Sequence, residues 1–231
     1  MRNDMSNSRR LLVGTTVTLF IFLISPMIAQ IIAMTLGFAS PDFMVRPIMI
    51  LLSVAAILIF RNAVNYRIAL PKPGTAFRAF FFGALSSIMI HLTLDLLFPA
   101  PETETQIGEI FSAHSPLQAL LMIVLLASIT EELLCRGFFM NIISPLKARY
   151  LSILNRKISA PVIISAFLFS LAHLGLLAMG ASIPLVTNVL VGAFVVGIVA
   201  GYFQEKHDNN AYAIIAHMSA NLPAFLASLT G

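Results

Sequence analysis

Residues 116–143 read PLQALLMIVLLASITEELLCRGFFMNII and are apolar apart from a short charged cluster past the middle. A helix needs about 20 apolar residues to cross the hydrocarbon core of a bilayer, and this stretch is long enough. It nevertheless carries Glu131, Glu132 and Arg136, although a charged side chain costs roughly 2.5–3.5 kcal/mol at the centre of a membrane helix. Such groups persist where they face a bundle interior and find partners. The stretch therefore predicts a spanning helix that presents a polar site to its neighbours.

The composition of the whole chain is that of a membrane protein. Of its 231 residues, 58% are hydrophobic and 10% are charged, whereas soluble domains average about 25% charged residues. The first apolar stretch is too long for a signal peptide, so we interpret it as a retained span. The sequence thus predicts an all-α, polytopic transmembrane helix bundle with a polar site buried between its C-terminal helices. About seven spans are expected, at residues 11–36, 43–60, 77–98, 116–143, 160–179, 183–203 and 211–229.

The distribution of basic residues predicts the orientation of these spans. With the N-terminus in the cytoplasm, every lysine and arginine except Arg46 and Arg136 lies in or beside a cytoplasmic segment. Acidic residues Asp42, Glu102, Glu104 and Glu109 fall in the outer loops. Lysine and arginine are enriched in cytoplasmic loops of membrane proteins. This pattern accounts for the net charge of +4 without a nucleic-acid partner, so the bilayer is the first partner that we expect.

Two later spans carry polar residues at helical spacing. FSLAH places Phe169 and His173 on one face at i and i+4, and HMSAN does the same for His217 and Asn221. At 1.5 Å per residue, these groups and Glu131 all reach the middle or inner half of the bilayer. Polar residues in single helices often serve only to hold helices together. Three such faces at similar depth favour a functional site instead.

The three motifs together resemble those of a known family. EELLCR, FSLAH and HMSAN are similar, in this order, to the EExxxR, FxxxH and HxxxN motifs of the CPBP family of intramembrane proteases. That family comprises CAAX prenyl endopeptidases and Abi-type bacteriocin-processing or bacteriocin immunity proteins. The resemblance begins near residue 116, which divides the chain into N-terminal transmembrane helices without a motif, 1–115, and a protease core, 116–231.

The resemblance implies an intramembrane endopeptidase and a role for each motif residue. Glu131 would be the general base that activates a water molecule, with His173 also holding that water. His217 and Asn221 would stabilise the oxyanion. The implied substrate is a peptide or membrane-associated protein, cut from the cytoplasmic side. The supporting residues would be Glu132 and Arg136, as an ion pair, and Phe169, which would orient His173.

Two alternatives remain open on the sequence. Glu131, His173 and His217 could instead hold a divalent metal such as zinc, since a glutamate with two histidines is a known catalytic zinc set. We favour the reaction without a metal or other cofactor. The chain could also be a non-catalytic immunity or regulatory protein that retains the motif residues. Either protein would be a multi-pass protein of a cell membrane, and we expect a bacterial source.

Overall fold

The structure, a computed structural model, describes residues 5–37, 41–97, 115–153, 155–178 and 180–229. The outer-loop residues Glu102, Glu104 and Glu109 lie outside this part of the chain. A 3-10 helix, Ser144–Ala148, and a hairpin of β1 (Tyr150–Ile153) and β2 (Arg156–Ser159) separate the fourth and fifth helices. The helices are α1 (Asn7–Leu36), α2 (Asp42–Ile59), α3 (Pro73–Leu97), α4 (Pro116–Met140), α5 (Ala160–Ala172), α6 (Gly175–Ala178), α7 (Ile183–His207) and α8 (Asn210–Ser228).

These helices confirm the predicted all-α membrane bundle. Six of the seven predicted spans coincide with one long helix each, and the fifth, 160–179, is covered by α5 and the adjoining short α6. By length and composition, six of the helices in the described ranges could cross a membrane: α1, α2, α3, α4, α5 with the adjoining α6, and α7. The seventh, α8, is not among them. It carries His217 and Asn221 in its middle, and these polar residues lower its hydropathy.

The C-terminal helices begin at residues suited to capping helix ends. The side chains of Ser115, Ser159, Ser182 and Asn209 each accept a hydrogen bond from a backbone N–H in the first turn of the helix that follows. A proline occupies the first or second position of α4, α5 and α7, where its missing N–H costs nothing. These local signals determine where the motif-bearing helices start. The starts in turn set how far along each helix the motif residues lie.

Helix α4 occupies the centre of the bundle and has an irregular backbone. Half of its most apolar window is buried within the protein, against 22–39% in the other candidate spans. Two π-helical segments, Leu120–Ala127 and Leu133–Met140, flank the α-helical turn that carries both glutamates. Such widened turns are frequent at functional sites. Carbonyl groups in the second segment accept hydrogen bonds from the side chains of Asn141, Ser165 and Gln204.

Helix α3 packs closely against α8 through a glycine. A Cβ atom at Gly83 would collide with the carbonyl oxygen of Ala216 and with Oγ of Ser219. Both are atoms of α8, one residue before and two residues after His217. Helices in lipid associate through close packing at small residues. The glycine therefore allows α3 to hold the motif-bearing part of α8 against the rest of the bundle.

Substitution of Gly83 by alanine is expected to destabilise the protein. The added methyl group must push α3 away from α8, and overpacking of this kind costs about 1–3 kcal/mol. The measurement is thermal unfolding of the purified protein in detergent. Gly74→Ala is the matched control on the same helix, because nothing lies within 4 Å of a Cβ at Gly74. Equal unfolding temperatures for the two variants would contradict the packing described here.

The glycines of α7 make room for α5 and for the buried arginine. A Cβ at Gly197 would lie 2.7 Å from Nη2 of Arg136 and 2.9 Å from Cβ of Ala166. A Cβ at Gly201 would lie 3.0 Å from a methyl group of Val162. The GxxxG spacing therefore produces close helix packing, and Gly197 also makes room for the guanidinium of Arg136.

The end of the bundle that carries the basic loops is closed by polar contacts. The segment between α2 and α3 is hydrogen-bonded to the turn between α7 and α8. Asn209 exchanges two 3.0 Å hydrogen bonds with the backbone of Ala69, and the Tyr212 hydroxyl accepts a 2.9 Å bond from the backbone of Lys72. From α1, Arg10 donates a 3.1 Å hydrogen bond to the carbonyl of Ile142, just beyond α4. We call this the basic end of the bundle.

Candidate active site

The two adjacent glutamates of α4 contact different partners. Glu131 forms an ion pair with Arg46 of α2, with 2.9 Å between Oε1 and Nη1. Glu132 is fully buried and forms an ion pair with Arg136, with 2.8 Å between Oε1 and Nη1. The Glu132–Arg136 pair has the i, i+4 spacing foreseen from the sequence, whereas the partner of Glu131 comes from a helix without a motif.

His217 of α8 lies between the two carboxylates. Its Nδ1 is 2.9 Å from Oε1 of Glu132, a hydrogen-bonding distance. Its Nε2 is 3.9 Å from Oε2 of Glu131, too far for a direct hydrogen bond. A carboxylate can only accept, so the Glu132 contact places a proton on Nδ1 of His217. In the neutral ring, Nε2 then has its lone pair on the Glu131 side.

Phe169 of α5 contacts the buried arginine and both histidines. The guanidinium of Arg136 lies over its ring at 4.8 Å from the centroid. The rings of His173 and His217 meet it nearly edge-on, with centroid distances of 4.9 and 5.3 Å. Phe169 is 1% exposed. Its ring therefore packs against the Arg136 guanidinium and against both imidazole rings.

His173 stands at the C-terminal end of α5. Its Nδ1 is 3.0 Å from the carbonyl oxygen of Phe169, one turn earlier in the chain. A carbonyl accepts only, so the proton again sits on Nδ1 and Nε2 carries a lone pair. His173 and His217 thus have the same tautomer, each held by an acceptor on the side away from the reacting face.

Asn221 lies one turn after His217 on α8. Its Nδ2 donates 3.3 Å hydrogen bonds to the carbonyl oxygen of Ile123 and to Oγ of Ser128, both on α4. Ser128 in turn donates to the carbonyl of Val124 at 2.7 Å. The amide therefore ties α8 to α4 beside the glutamates, through two long hydrogen bonds.

These groups converge on a cavity of about 260 Å³. The walls between the polar groups are mostly alanine, valine, leucine and isoleucine side chains. The structure thus brings the predicted residues Glu131, His173, His217 and Asn221 to one cavity. It places Glu132 and Arg136 behind that cavity, with Phe169 in the wall. The polar lining residues are Arg46, Ser87, His91, Glu131, His173, His217 and Asn221.

The cavity lies toward the end of the bundle opposite the basic end. Helices α3, α5 and α8 start at the basic end and line the cavity with residues from their middle and C-terminal parts, or just beyond. Helices α4 and α7 run the other way and contribute residues from their N-terminal parts and middle. Cleavage from the cytoplasmic side, as expected from the sequence, stays a prediction, because the lining residues locate the cavity along the bundle and not relative to a membrane face. The lining residues from these helices, or just beyond them, are 87 and 91; 123, 127 and 131; 169, 173 and 176; 189, 192, 193 and 196; and 217, 220, 221 and 224.

Arg46 is the site residue that sequence reasoning missed. It was noted only as a basic residue on the outer side, yet it lines the cavity and contacts the predicted general base. Two signals could have identified it. It breaks the distribution of basic residues that the other loops follow, and it stands in an apolar helix, where an ionisable group indicates a functional site.

His91 of α3 also faces this cavity. The i, i+4 spacing of His91 and Asp95 in the sequence HLTLD predicts a structural hydrogen-bonded pair in preference to a proton relay. The side chain of Asp95 lies outside the described part of the chain. A Cβ at Gly192 would lie 3.9 Å from Cε1 of His91. Gly192 of α7 and His91 of α3 are therefore neighbours in the wall of the cavity.

The residues proposed as metal ligands do not form a ligand set here. Glu131, His173 and His217 line one cavity, but Oε1 of Glu131 is engaged by the Arg46 cation. In the described ranges, no three His, Cys, Asp or Glu side chains are placed to hold a metal ion. A guanidinium at 2.9 Å from the carboxylate opposes a divalent cation at the same oxygen, so this arrangement does not fit the zinc alternative.

Comparison with known proteins gives one match. A family model described as Type II CAAX prenyl endopeptidase Rce1-like matches residues 113–223. This region contains all seven residues predicted from the motifs, and the match confirms the resemblance found in the sequence. Among curated proteins and solved structures, no significant match to the chain was found.

Proposed function

Because residues 113–223 of this multi-pass membrane protein match the family model described as Type II CAAX prenyl endopeptidase Rce1-like, we propose that it hydrolyses a peptide bond with a water molecule activated by Glu131. The observation that carries the proposal is the gap between Glu131 and His217. Oε2 and Nε2 are 3.9 Å apart across the cavity. Polar atoms at such a separation are readily bridged by a water molecule, which would then touch both a base and a histidine.

The proposed reaction uses Glu131 as a proton shuttle. Its carboxylate takes a proton from the water as the oxygen attacks the scissile carbonyl. The resulting oxyanion accepts a hydrogen bond from His217, which can donate it through Nε2 only when the ring carries a proton on both nitrogens. Asn221 supplies a second donor, because its two 3.3 Å hydrogen bonds to α4 can be exchanged for a shorter one to the oxyanion. Glu131 then passes the proton to the leaving amine as the carbon–nitrogen bond breaks. His173 binds the attacking water through Nε2, and no metal takes part.

Glu132 and Arg136 act through His217 in this proposal. The buried pair holds Nδ1 of His217 with a 2.9 Å contact, so the ring keeps one orientation and one tautomer. Fixing a histidine by a carboxylate on its far nitrogen is a general way to set which nitrogen reacts.

The substrate follows from the setting of the site. A cavity with apolar walls inside a membrane bundle suits an extended peptide or a membrane-associated protein segment, since each peptide bond must leave water to reach Glu131. We place the protein in a bacterial cell membrane with its N-terminus in the cytoplasm. Peptide maturation or protection against a bacteriocin is the role we propose there.

The test uses peptides that accumulate when the enzyme is disabled. Membranes and medium from cells making Glu131→Gln supply the peptide pool, and purified wild-type protein in lipid bilayers is added to it. Mass spectrometry is expected to show a parent peptide replaced by two fragments whose masses sum to the parent plus one water. The activity should survive a chelator. Loss with the chelator and recovery with zinc would overturn the metal-free reaction, and an unchanged pool would favour the non-catalytic alternative.

Substitution of Arg46 by methionine is expected to slow this hydrolysis about 10- to 100-fold. The change removes a hydrogen bond to a charged group, which is worth about 1.5–3 kcal/mol, and leaves the Glu131 carboxylate free to rotate. The measurement is the initial rate of fragment formation under the same conditions. Arg46→Lys, which keeps the charge, should recover part of the rate. A methionine variant as fast as wild type would show that Arg46 does not position Glu131.

A further inference from the structure

Two cations from different elements meet at one tyrosine at the basic end of the bundle. The hydroxyl of Tyr202, on α7, accepts a 3.4 Å hydrogen bond from Nη1 of Arg156, on β2. It also accepts a 3.3 Å hydrogen bond from Nζ of Lys206, one turn later on α7. Both cations are exposed. Positive charges that share one neutral oxygen repel each other, so an anion bound between them would relieve that repulsion.

No carboxylate in the described part of the chain supplies that anion. Neither Arg156 nor Lys206 forms an ion pair within these residues. Glu205 precedes Lys206 in the chain, but its Oε2 accepts a 2.7 Å hydrogen bond from Ser159 and lies 3.9 Å from Nζ of Lys147. An anion that pairs with both cations would therefore come from outside these residues.

Exposed apolar side chains lie on the same face of the hairpin as Arg156. The register of β1 and β2 places Ile153 opposite Arg156 and Leu151 two residues before Ile153. Opposite residues, and alternate residues along a strand, point to one face. Leu151 and Ile153 are 58% and 52% exposed. The hairpin thus presents a cation and an apolar surface side by side.

This combination suits a lipid of the surrounding bilayer. The hairpin joins α4 to α5, and both belong to candidate membrane spans, so it lies where spanning helices meet the lipid headgroups. Basic pockets between membrane helices bind phosphate-bearing headgroups, and arginine pairs especially well with phosphate. A phospholipid with a net negative charge offers both the phosphate and the apolar chains that this surface can contact.

We propose that Arg156 and Lys206 bind the phosphate of an anionic phospholipid, and that its acyl chains cover Leu151 and Ile153. Arg156 belongs to the hairpin and Lys206 to the end of α7, so the bound phosphate holds these two elements together. The proposal goes beyond peptide hydrolysis and does not depend on it.

Lipid titration of the purified full-length protein tests this proposal. Native mass spectrometry counts the phosphatidylglycerol molecules bound to the protein, with phosphatidylcholine as the reference lipid. The variant is Arg156→Gln with Lys206→Gln. Loss of two basic contacts to an anionic headgroup is expected to weaken phosphatidylglycerol binding about 30-fold. The matched control is Arg9→Gln with Arg61→Gln, which removes two exposed positive charges elsewhere at the basic end. Thermal unfolding in phosphatidylcholine micelles checks that each protein is folded.

Wild-type protein and the control are expected to bind phosphatidylglycerol equally well and more tightly than phosphatidylcholine. Equal binding of the two lipids by the wild type would overturn the proposal, as would unchanged binding by the Arg156 and Lys206 variant. An equal loss in the control would show a general effect of charge and would also overturn it. Glycerol phosphate is tested at the same concentrations, and binding as tight as that of phosphatidylglycerol would assign the site to a free phosphate instead of a lipid.

Discussion

Glu131→Gln is expected to lower the rate of peptide hydrolysis by about 10²- to 10⁴-fold, the contribution of a general base to catalysis. Glutamine keeps the shape and can still accept a hydrogen bond from Arg46, but it cannot take a proton from water. The side chain of Glu131 is 11% exposed and faces the cavity, so the change leaves the packed interior alone. Fragment formation by purified protein in bilayers measures the rate, and thermal unfolding checks that the variant is folded.

Glu205→Gln is the matched control for that substitution. Glu205 lies at the basic end, where it accepts a 2.7 Å hydrogen bond from Ser159. Glutamine can replace that acceptor, so wild-type activity is expected. A Glu131→Gln protein that cuts at the wild-type rate would remove Glu131 from the reaction, and equal losses in both variants would indicate a general effect of charge.

Arg136→Met is expected to lower the free energy of unfolding by about 3–5 kcal/mol, the cost of breaking a buried ion pair. Arg136 and Glu132 are both fully buried, so the carboxylate would stay in a low-dielectric interior with only His217 beside it. Methionine fills much of the volume under Phe169 and next to Gly197. The loss in the free energy of unfolding therefore reflects the unpaired charge of Glu132 more than an empty space left by Arg136. Thermal or denaturant unfolding in mixed micelles measures it.

A double variant separates the unpaired charge from lost packing. Removal of both partners of a buried pair is far less costly than removal of one, so Arg136→Met with Glu132→Gln should recover much of the stability. Activity should remain low in the double variant, since it no longer holds His217 by an ionised Glu132. A single variant that loses less than about 1 kcal/mol would contradict the account of this pair.

Much of the fold follows from hydropathy alone. Long apolar runs have few alternatives to spanning helices, since backbone groups in lipid must be paired within the helix. Each predicted span is helical in the structure, the fifth as two consecutive helices. Glu131, His173, His217 and Asn221 could be found because polar residues are costly in such runs and stand out. Their depth followed from counting residues along a helix.

The remainder of the site depends on packing between helices. Helical spacing could pair Glu132 with Arg136, but the pairing of Arg46 with Glu131 joins residues 85 positions apart. The π-helical segments of α4 turn by a different angle per residue from an α-helix. A helical wheel drawn at 100° per residue therefore does not show which glutamate faces the cavity. Side chains such as Gln204 and Asn141 help to fill the basic end of the bundle by hydrogen-bonding to the backbone of Arg136. No local sequence pattern reveals these partners.

The most direct test of the central claim compares peptides in the membranes and medium of cells making wild-type protein, Glu131→Gln or Glu205→Gln at equal abundance. We predict cleavage products in the wild-type and Glu205→Gln samples that are missing with Glu131→Gln, where the uncut parent accumulates. Identical peptide profiles in all three samples, together with an unchanged cell phenotype, would contradict the claim that this site is a peptidase.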